Sequence, residues 1–543
     1  MIALPWLLLT GCLVGDLDDL DLDGDGAPWS EDCDETNPDI HPDAQEVCDN
    51  GVDDNCDGAP TPCFVEGETA LDQADVRFAG QEAYARVGRV VSAAGDVNND
   101  GLADFLIGAF SGTPSQGYVS SVALYLGAAE VERTPRATFK AEATKWIDYD
   151  SVEPWSERFS AATAGDVNGD GFDDLLIGDT QGGDSETSDS LPDGAGIGPG
   201  VVYLVRGASG RELLTGDQQL VDAGASFIGE RAADWAGYAV AAAGDVNRDG
   251  YADLLIGAPL SGNSGVAYLI LGAAGLGAAG EALQLSDADA SFSGLGSHSD
   301  AGAAVAGVGD VSGDGIDDFL IGTPGASTTP AREGGAHLIL GPGLSGGTSS
   351  LSSADASYES SQAGDWAGYS VAGAGDVDGD GINDLIIGAP GAFMESGAGA
   401  AHLFLGAADI DASSEARILS GADTTFSSKT SGDVVGGSVA GVGDVDSDGH
   451  DDLLIGAHLA NGGGTSYLVL GAPDGFDGGN TQNLSNVTTQ LLGNHENSWA
   501  GGAVAGPGDV NGDGLDDLLI GAPQENTEGS RAGAAYLFFV GHW

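Results

Sequence analysis

Short apolar runs bounded by glycine and aspartate recur along this chain at a nearly fixed interval. One unit reads Asp234-Trp-Ala-Gly-Tyr-Ala-Val-Ala-Ala-Ala-Gly-Asp-Val-Asn-Arg-Asp-Gly-Tyr-Ala-Asp-Leu-Leu-Ile-Gly-Ala-Pro259. After a polar stretch come Gly265-Val-Ala-Tyr-Leu-Ile-Leu-Gly272 and then Ser286-Asp-Ala-Asp-Ala-Ser-Phe-Ser-Gly294. Four segments of strand character, aliphatic, aromatic or β-branched and bounded by glycine, recur in each unit. No long apolar run has the 3.6-residue period of a helix. The pattern predicts an all-β chain of repeated four-stranded units, with the extra length of each unit in its loops.

Between the first and second segments lies a nine-residue polar stretch, Asp-x-[Asn/Asp/Ser]-x-Asp-Gly-x-x-Asp. Its seven copies begin at Asp96, Asp166, Asp245, Asp310, Asp376, Asp444 and Asp509, at intervals of 70, 79, 65, 66, 68 and 65 residues. Such a period marks a repeat architecture. The oxygen-bearing positions one, three, five and nine are Asp96, Asn98, Asp100, Asp104; Asp166, Asn168, Asp170, Asp174; Asp245, Asn247, Asp249, Asp253; and Asp310, Ser312, Asp314, Asp318. In the last three copies they are Asp376, Asp378, Asp380, Asp384; Asp444, Asp446, Asp448, Asp452; and Asp509, Asn511, Asp513, Asp517. Oxygens so spaced, with the carbonyl of position seven, can wrap one Ca²⁺, which accepts about six to eight such ligands. Position twelve is Ile where an EF-hand has Glu, so the loop is of another kind. Three or four carboxylates in one turn repel each other unless a cation sits among them. Up to seven Ca²⁺ are expected, with the copy carrying Ser312 weakest and the four-aspartate copies at Asp376 and Asp444 tightest.

The formal charge of −69, from 16 basic and 85 acidic residues, excludes nucleic acid as a natural partner, because a polyanion requires a Lys/Arg surface. With 543 residues the chain exceeds one ordinary core, and its 92 glycines suit many tight turns. The eight histidines are scattered, and no His-Glu-x-x-His, Gly-x-Ser-x-Gly or phosphate loop occurs. No catalytic set is expected.

The repeated unit resembles the FG-GAP repeat of integrin α-subunits and their bacterial relatives, over all seven copies. Gly-Ala-Pro is literal in the third, fifth and seventh copies; Phe-Gly is degenerate, read as Phe159-Ser, Tyr238-Ala or Tyr369-Ser. The resemblance implies a seven-bladed β-propeller over residues 65–543, with Ca²⁺ between the first two strands of each blade. The last unit supplies three strands. Asp72-Gln-Ala-Asp-Val-Arg-Phe-Ala-Gly80 matches the outer-strand segments elsewhere, so residues 72–80 are expected to complete the last blade and remove a free edge.

The first residues carry different signals. Ile2 to Leu9 form an apolar run too short for a bilayer, which needs about 20 residues, but suited to a secretory signal. Leu9-Thr10-Gly11-Cys12 resembles the bacterial lipobox, without the basic residues that usually precede it. Residues 1–12 are thus expected to be a lipoprotein signal ending at a lipidated Cys12. Setting Cys12 aside leaves Cys33, Cys48, Cys56 and Cys63, an even set that allows three pairings and suits an oxidising compartment. Zinc is disfavoured, since the neighbours are carboxylates rather than His/Cys pairs. Residues 13–64 form a Cys/Asp-rich segment. Its stretch from Asp21-Leu-Asp23-Gly-Asp25 to Asp57-Gly58 resembles a small metal-binding motif of secreted delta-proteobacterial, including myxobacterial, proteins. That resemblance implies export in a Gram-negative bacterium, a disulfide-stapled module and one or two further Ca²⁺, with Asp21, Asp23 and Asp25 among the ligands. An acidic spacer is the plainer reading of the same residues.

Strand alternation puts all seven acidic loops on one face and the variable loops and interblade links on the other. Trp155, Trp235, Trp366 and Trp499 fall just before first strands, where they either offer a surface to a glycan or peptide or wedge between blades. The leading expectation is a non-catalytic, calcium-stabilised, lipid-anchored cell-surface propeller for adhesion or protein/glycan binding. A calcium-dependent polysaccharide-processing enzyme and a purely architectural surface protein are the alternatives. The former needs a basic and carboxylate cluster, for which Arg231, Arg332 and Arg531 are too dispersed.

Overall fold

Seven sheets, antiparallel over their first four strands, follow one another in the computed structural model, each begun by the strand that leads into an acidic loop. The structure describes residues 67–540 except 114–116, 142–158, 184–197, 211–213, 279, 327–332, 342–343, 345, 363, 392–396, 409, 411–416, 473–475, 477–480 and 487–488. Expectations on Cys12, Cys33, Cys48, Cys56, Cys63, Asp21, Asp23, Asp25, Trp155 and Arg332 therefore lie outside the described residues.

The first strands of the blades are Val90–Gly95, Phe159–Gly165, Ala239–Gly244, Ala304–Gly309, Ser370–Gly375, Val435–Gly443 and Ala503–Gly508. Each packs against the next, and the seventh packs against the first, so the sheets close into a ring around an axis. Crowding at the axis selects small residues. A Cβ on Gly441 would lie 2.7 Å from the Gly373 carbonyl oxygen, and one on Gly506 2.5 Å from Val442 Cα. Glycine is required there because the neighbouring backbone occupies the side-chain space.

Second and third strands, such as Asp253–Ala258 and Val266–Ile270, are buried almost throughout. Both faces of each sheet meet a neighbouring blade, which is why these strands read as continuous apolar runs without alternation. The core is correspondingly divided into interblade layers, for instance Val202, Leu204, Phe227, Leu254, Ile256 and Tyr268 between the second and third blades.

Six sheets have a fifth strand that four-segment counting misses. The link from the third to the fourth strand of a blade first crosses to the preceding blade and pairs parallel with its outer strand. Gly216–Gln219 runs beside Ala137–Lys140, and Gly347–Ser350 beside Ala290–Ser293. A short helical turn then returns the chain to its own blade, anchored by a buried leucine: Leu71, Leu220, Leu285, Leu351, Leu419 or Leu484.

The chain enters the ring the same way. Gly67–Ala70 pairs parallel with Thr489–Leu492 of the sixth blade, and Val76–Ala79 pairs antiparallel with Ala534–Leu537 as the outer strand of the seventh. Arg77 Nη2 donates to Glu525 Oε1 at 2.7 Å, and Glu525 also accepts from Tyr536, tying the entering strand to the last blade. The seventh sheet alone has four strands among the described residues. The link that would augment it, residues 126–136, has 11 residues, whereas the links at 206–224 and 271–289 have 19. It is too short to cross to the neighbour's edge and return.

Candidate functional site

The two ends of the first strands carry two different constructions. At their C-terminal ends each acidic loop is a closed set of hydrogen bonds. Asp96 Oδ1 accepts the Asp100 N–H at 3.0 Å and its Oδ2 the Gly101 N–H at 2.8 Å. Asp100 Oδ1 accepts the Leu102 N–H at 3.1 Å. Glycine at position six is needed for the turn, with φ of 89° at Gly101 and 90° at Gly449. Position nine is fully buried. Asp104 Oδ2 accepts the Val97 N–H at 3.0 Å, and its Oδ1 accepts the Gly127 N–H at 2.8 Å from the turn after the third strand. The second contact recurs at Asp174, Asp253, Asp318, Asp384, Asp452 and Asp517, so the same carboxylate joins two turns in every blade.

Burial raises these carboxyl groups well above their usual 3.8: to about 6 at Asp174, about 7 at Asp104, Asp253, Asp318 and Asp384, and about 8 at Asp452 and Asp517. Loss of water is the largest cause. The hydrogen bonds just described oppose it, and the carboxylates at positions one, three and five add to it. A divalent cation would remove both unfavourable causes at once, which is the fit expected of a hard-oxygen site. In the fifth and sixth blades three carboxylates converge to within 4.8 Å: Asp376, Asp378 and Asp384, and Asp444, Asp446 and Asp452. These are the copies with aspartate at all four positions.

Position eight adds a contact between blades. Asp173 Oδ2 accepts the Asp96 N–H of the preceding blade at 2.8 Å; Asp317 does the same for Asp245 and Asp451 for Asp376, each at 2.8 Å. Sequence reading passed over this position. Its only signal is an aspartate doublet, as in Asp173-Asp174 and Asp451-Asp452.

At the N-terminal ends of the first strands, a cavity of about 380 Å³ opens on the axis. Residues from all seven blades line it, with Arg89, Phe159, Tyr238, Tyr369, His458 and Trp499 as its largest side chains. Trp235, Trp366 and Trp499 occupy one repeat position and each is partly buried; of the three, Trp499 is among the residues lining the cavity. Trp235 stacks on Tyr238 at 5.9 Å and 10°, Trp366 leans on Tyr369 at 6.4 Å, and Trp499 lies 5.2 Å from His458. All three have left-handed backbones, with φ of 57°, 57° and 59°. The same position is left-handed at Arg86, Asp300 and Val434, with φ of 48°, 56° and 62°, so the turn belongs to the repeat whatever residue stands there.

Seven four-stranded blades around an axis, each with an acidic loop between its first two strands, define a repeat β-propeller. Three of its repeats, at residues 236–270, 367–404 and 501–538, match the family described as FG-GAP repeat. These are the third, fifth and seventh copies, where Gly-Ala-Pro is literal. Residues 32–60 match the family described as "Putative metal-binding motif". The chain is homologous to integrin α-chains. It is 30% identical to integrin alpha-5 of Xenopus laevis over 224 residues, which is 40% of this chain and 19% of that protein. It is 30% identical to integrin alpha-PS3 of Drosophila melanogaster over 183 residues (33% and 15%). With human integrin alpha-IIb the identity is 34% over 160 residues (28% and 14%). In each case the match spans less than a quarter of the relative's length.

Proposed function

We propose that this chain is a non-catalytic binding module of an exported cell-surface protein. Its seven acidic loops hold Ca²⁺ as structural staples, and its axial face takes a protein or glycan. The observation that carries this reading is the contrast between the two rims. The acidic rim spends its polar groups on internal hydrogen bonds and contacts between blades. The opposite rim is irregular, and Phe159, Tyr238, Tyr369 and Trp499 line the cavity that opens there.

In each loop positions one, three, five and nine supply side-chain oxygens, and position seven a carbonyl. Bound there, the ion would neutralise carboxylates that the fold otherwise crowds together. The homology to integrin α-chains favours adhesion or recognition of a surface ligand. Export with a lipid anchor at Cys12 is part of the same proposal; no helix among the described residues is long and apolar enough to cross a membrane. An enzyme of polysaccharide breakdown is disfavoured, since Arg231 and Arg531 do not line the axial cavity and no carboxylate does among the described residues.

The test is binding of the full chain to immobilised surface glycans and surface proteins, in Ca²⁺ and in chelator. Binding that needs both Ca²⁺ and the axial aromatic residues supports the proposal. Saccharide turnover would favour the enzyme, and absence of any ligand an architectural role.

A further inference from the structure

We propose that the acidic loops take up Ca²⁺ in linked pairs, first with second, third with fourth and fifth with sixth, and that the seventh acts alone. The inference rests on the reading of the loops as calcium sites and adds how the occupancy of one bears on its neighbour.

Consecutive loops touch in two ways. One contact recurs around the ring: the position-eight N–H donates to the position-one carbonyl of the preceding loop, from Ala252 to Asp166 at 3.1 Å and from Ala103 to Asp509 at 2.9 Å. An aspartate at position eight adds a bond in the opposite direction. Asp451 donates its N–H to the Asp376 carbonyl at 3.0 Å, and its Oδ2 accepts the Asp376 N–H at 2.8 Å. Asp173 holds Asp96 through the same two bonds, at 3.3 and 2.8 Å. Asp317 Oδ2 accepts the Asp245 N–H at 2.8 Å. Such a clasp fixes the backbone of a residue whose side chain is itself a ligand position.

The remaining contacts lack it. Position eight is Ala252 between the second and third loops, Asn383 between the fourth and fifth, and Ala103 between the seventh and first. Asp516 follows the sixth loop, but it meets the backbone of Asp509 in its own loop. Position four repeats much of the division. Asn99 Nδ2 of the first loop donates to the Gly171 carbonyl of the second at 2.9 Å, and Arg248 Nη2 of the third to the Gly315 carbonyl of the fourth at 2.7 Å. Both bonds land one residue before the carbonyl proposed as a ligand. Position four is glycine at the second-to-third, fourth-to-fifth and seventh-to-first contacts, as Gly169, Gly313 and Gly512. It is glycine at the fifth-to-sixth contact too, where the His450 ring lies over Gly379.

An empty loop gathers carboxylates that repel one another, so part of the free energy of taking up an ion goes into ordering the loop. Where two loops share a clasp, an ion in one also orders a residue that the other depends on. The second ion then has less disorder to remove, and the linkage acts equally in both directions. The clasp carboxylate also lies near both loops, feeling Asp96 and Asp166 at Asp173, and Asp376 and Asp444 at Asp451. Its charge offsets the repulsion between two bound cations.

The experiment is hydrogen–deuterium exchange of the full chain, read by mass spectrometry over a Ca²⁺ series, which gives each loop its own midpoint of protection. Asp170→Ala removes an exposed ligand position from the second loop. It should raise the first loop's midpoint at least about fivefold and leave the third loop's unchanged, although the second loop borders both. Asn99→Gly with Asp173→Ala gives the first contact the glycine and alanine that already stand at the next one, so the fold accommodates the pair. In that background Asp170→Ala should no longer move the first loop. Equal shifts in the first and third loops, no shift in the first, or a shift that persists in the altered background would each overturn the inference. The broader reading fails separately: if no loop gains protection in Ca²⁺, there are no calcium sites to link.

Discussion

The acidic rim and the axial mouth lie at opposite ends of the same seven strands, and they treat repetition differently. At the rim every blade has aspartate at positions one, five and nine, and the position-nine carboxylate accepts an N–H from the turn after the third strand in all seven blades. At the mouth the corresponding residues are Arg89, Phe159, Tyr238, Ala303, Tyr369, Gly437 and Gly502, all different in size and chemistry except the two tyrosines and two glycines. A feature that must be satisfied seven times over is scaffold. Freedom to vary from blade to blade, on a frame held by the other end, is what a recognition surface requires.

The comparison can be broken first at the frame common to both rims. Deleting residues 65–82 removes the strand on the sixth blade, the outer strand of the seventh, and the buried Leu71 and Phe78. The melting temperature should fall by roughly 10 °C or more, well beyond ordinary surface changes. An unchanged melting curve would mean that the entering strands do not hold the ring.

Chelation tests the acidic rim alone. An ion bound only by the folded state stabilises it by about 2.7 kcal/mol per site at a hundredfold excess over Kd. With several sites, a chelator should lower the melting temperature on the order of 10 °C. No shift would refute the metal assignment.

A pH series in chelator separates the carboxylates from the ion. The position-nine groups ionise at about 6 to 8 in the ion-free fold and near 3.8 otherwise. Between those values the fold holds more protons than the unfolded chain. Their contribution is thus fully present below about pH 4 and is lost as pH rises through 6 to 8. Ion-free stability should decline across that window, and saturating Ca²⁺ should flatten the decline. Melting curves with the same slope in both conditions would place the proton dependence elsewhere.

Single substitutions sharpen the contrast further. Asp452→Asn should lower stability in Ca²⁺ by a few kcal/mol, and by much less in chelator, where it also removes a crowded charge. Asp318→Asn, in the loop with Ser312, should show a smaller difference between the two conditions. At the mouth, Trp366→Asn should leave the melting temperature unchanged or raise it slightly, because it removes strain without opening a core cavity. A large loss there would make the tryptophan a structural wedge after all.

Much of the fold was legible because each blade repeats the same local grammar. Gly-bounded apolar runs, the aspartate spacing and the literal Gly-Ala-Pro of three copies together specify seven units and their class. The fifth strands were not legible. Gly216-Asp-Gln-Gln219 and Gly347-Thr-Ser-Ser350 are polar and exposed, since they contribute backbone pairing and almost no burial. Only the leucine that follows each one hints at the crossing. The position-eight aspartates were hidden by their neighbours, because a doublet within an acidic loop looks like surplus charge. The mouth was harder still. Tryptophans 235, 366 and 499 stood out by repeat position, but their left-handed backbones and their aromatic partners are facts of three dimensions. The acid-free lining is assembled from seven separated segments.

The route by which the chain joins the ring also sets how it meets mechanical load. Tension arriving through the residues before Gly67 falls first on the four-residue pairing with Thr489–Leu492, then on Val76–Ala79 and its Arg77–Glu525 ion pair. Two short ladders in different blades stand in series ahead of the seven-fold core. A tether pulled from that end meets a graded release, giving way strand by strand before any blade is torn open.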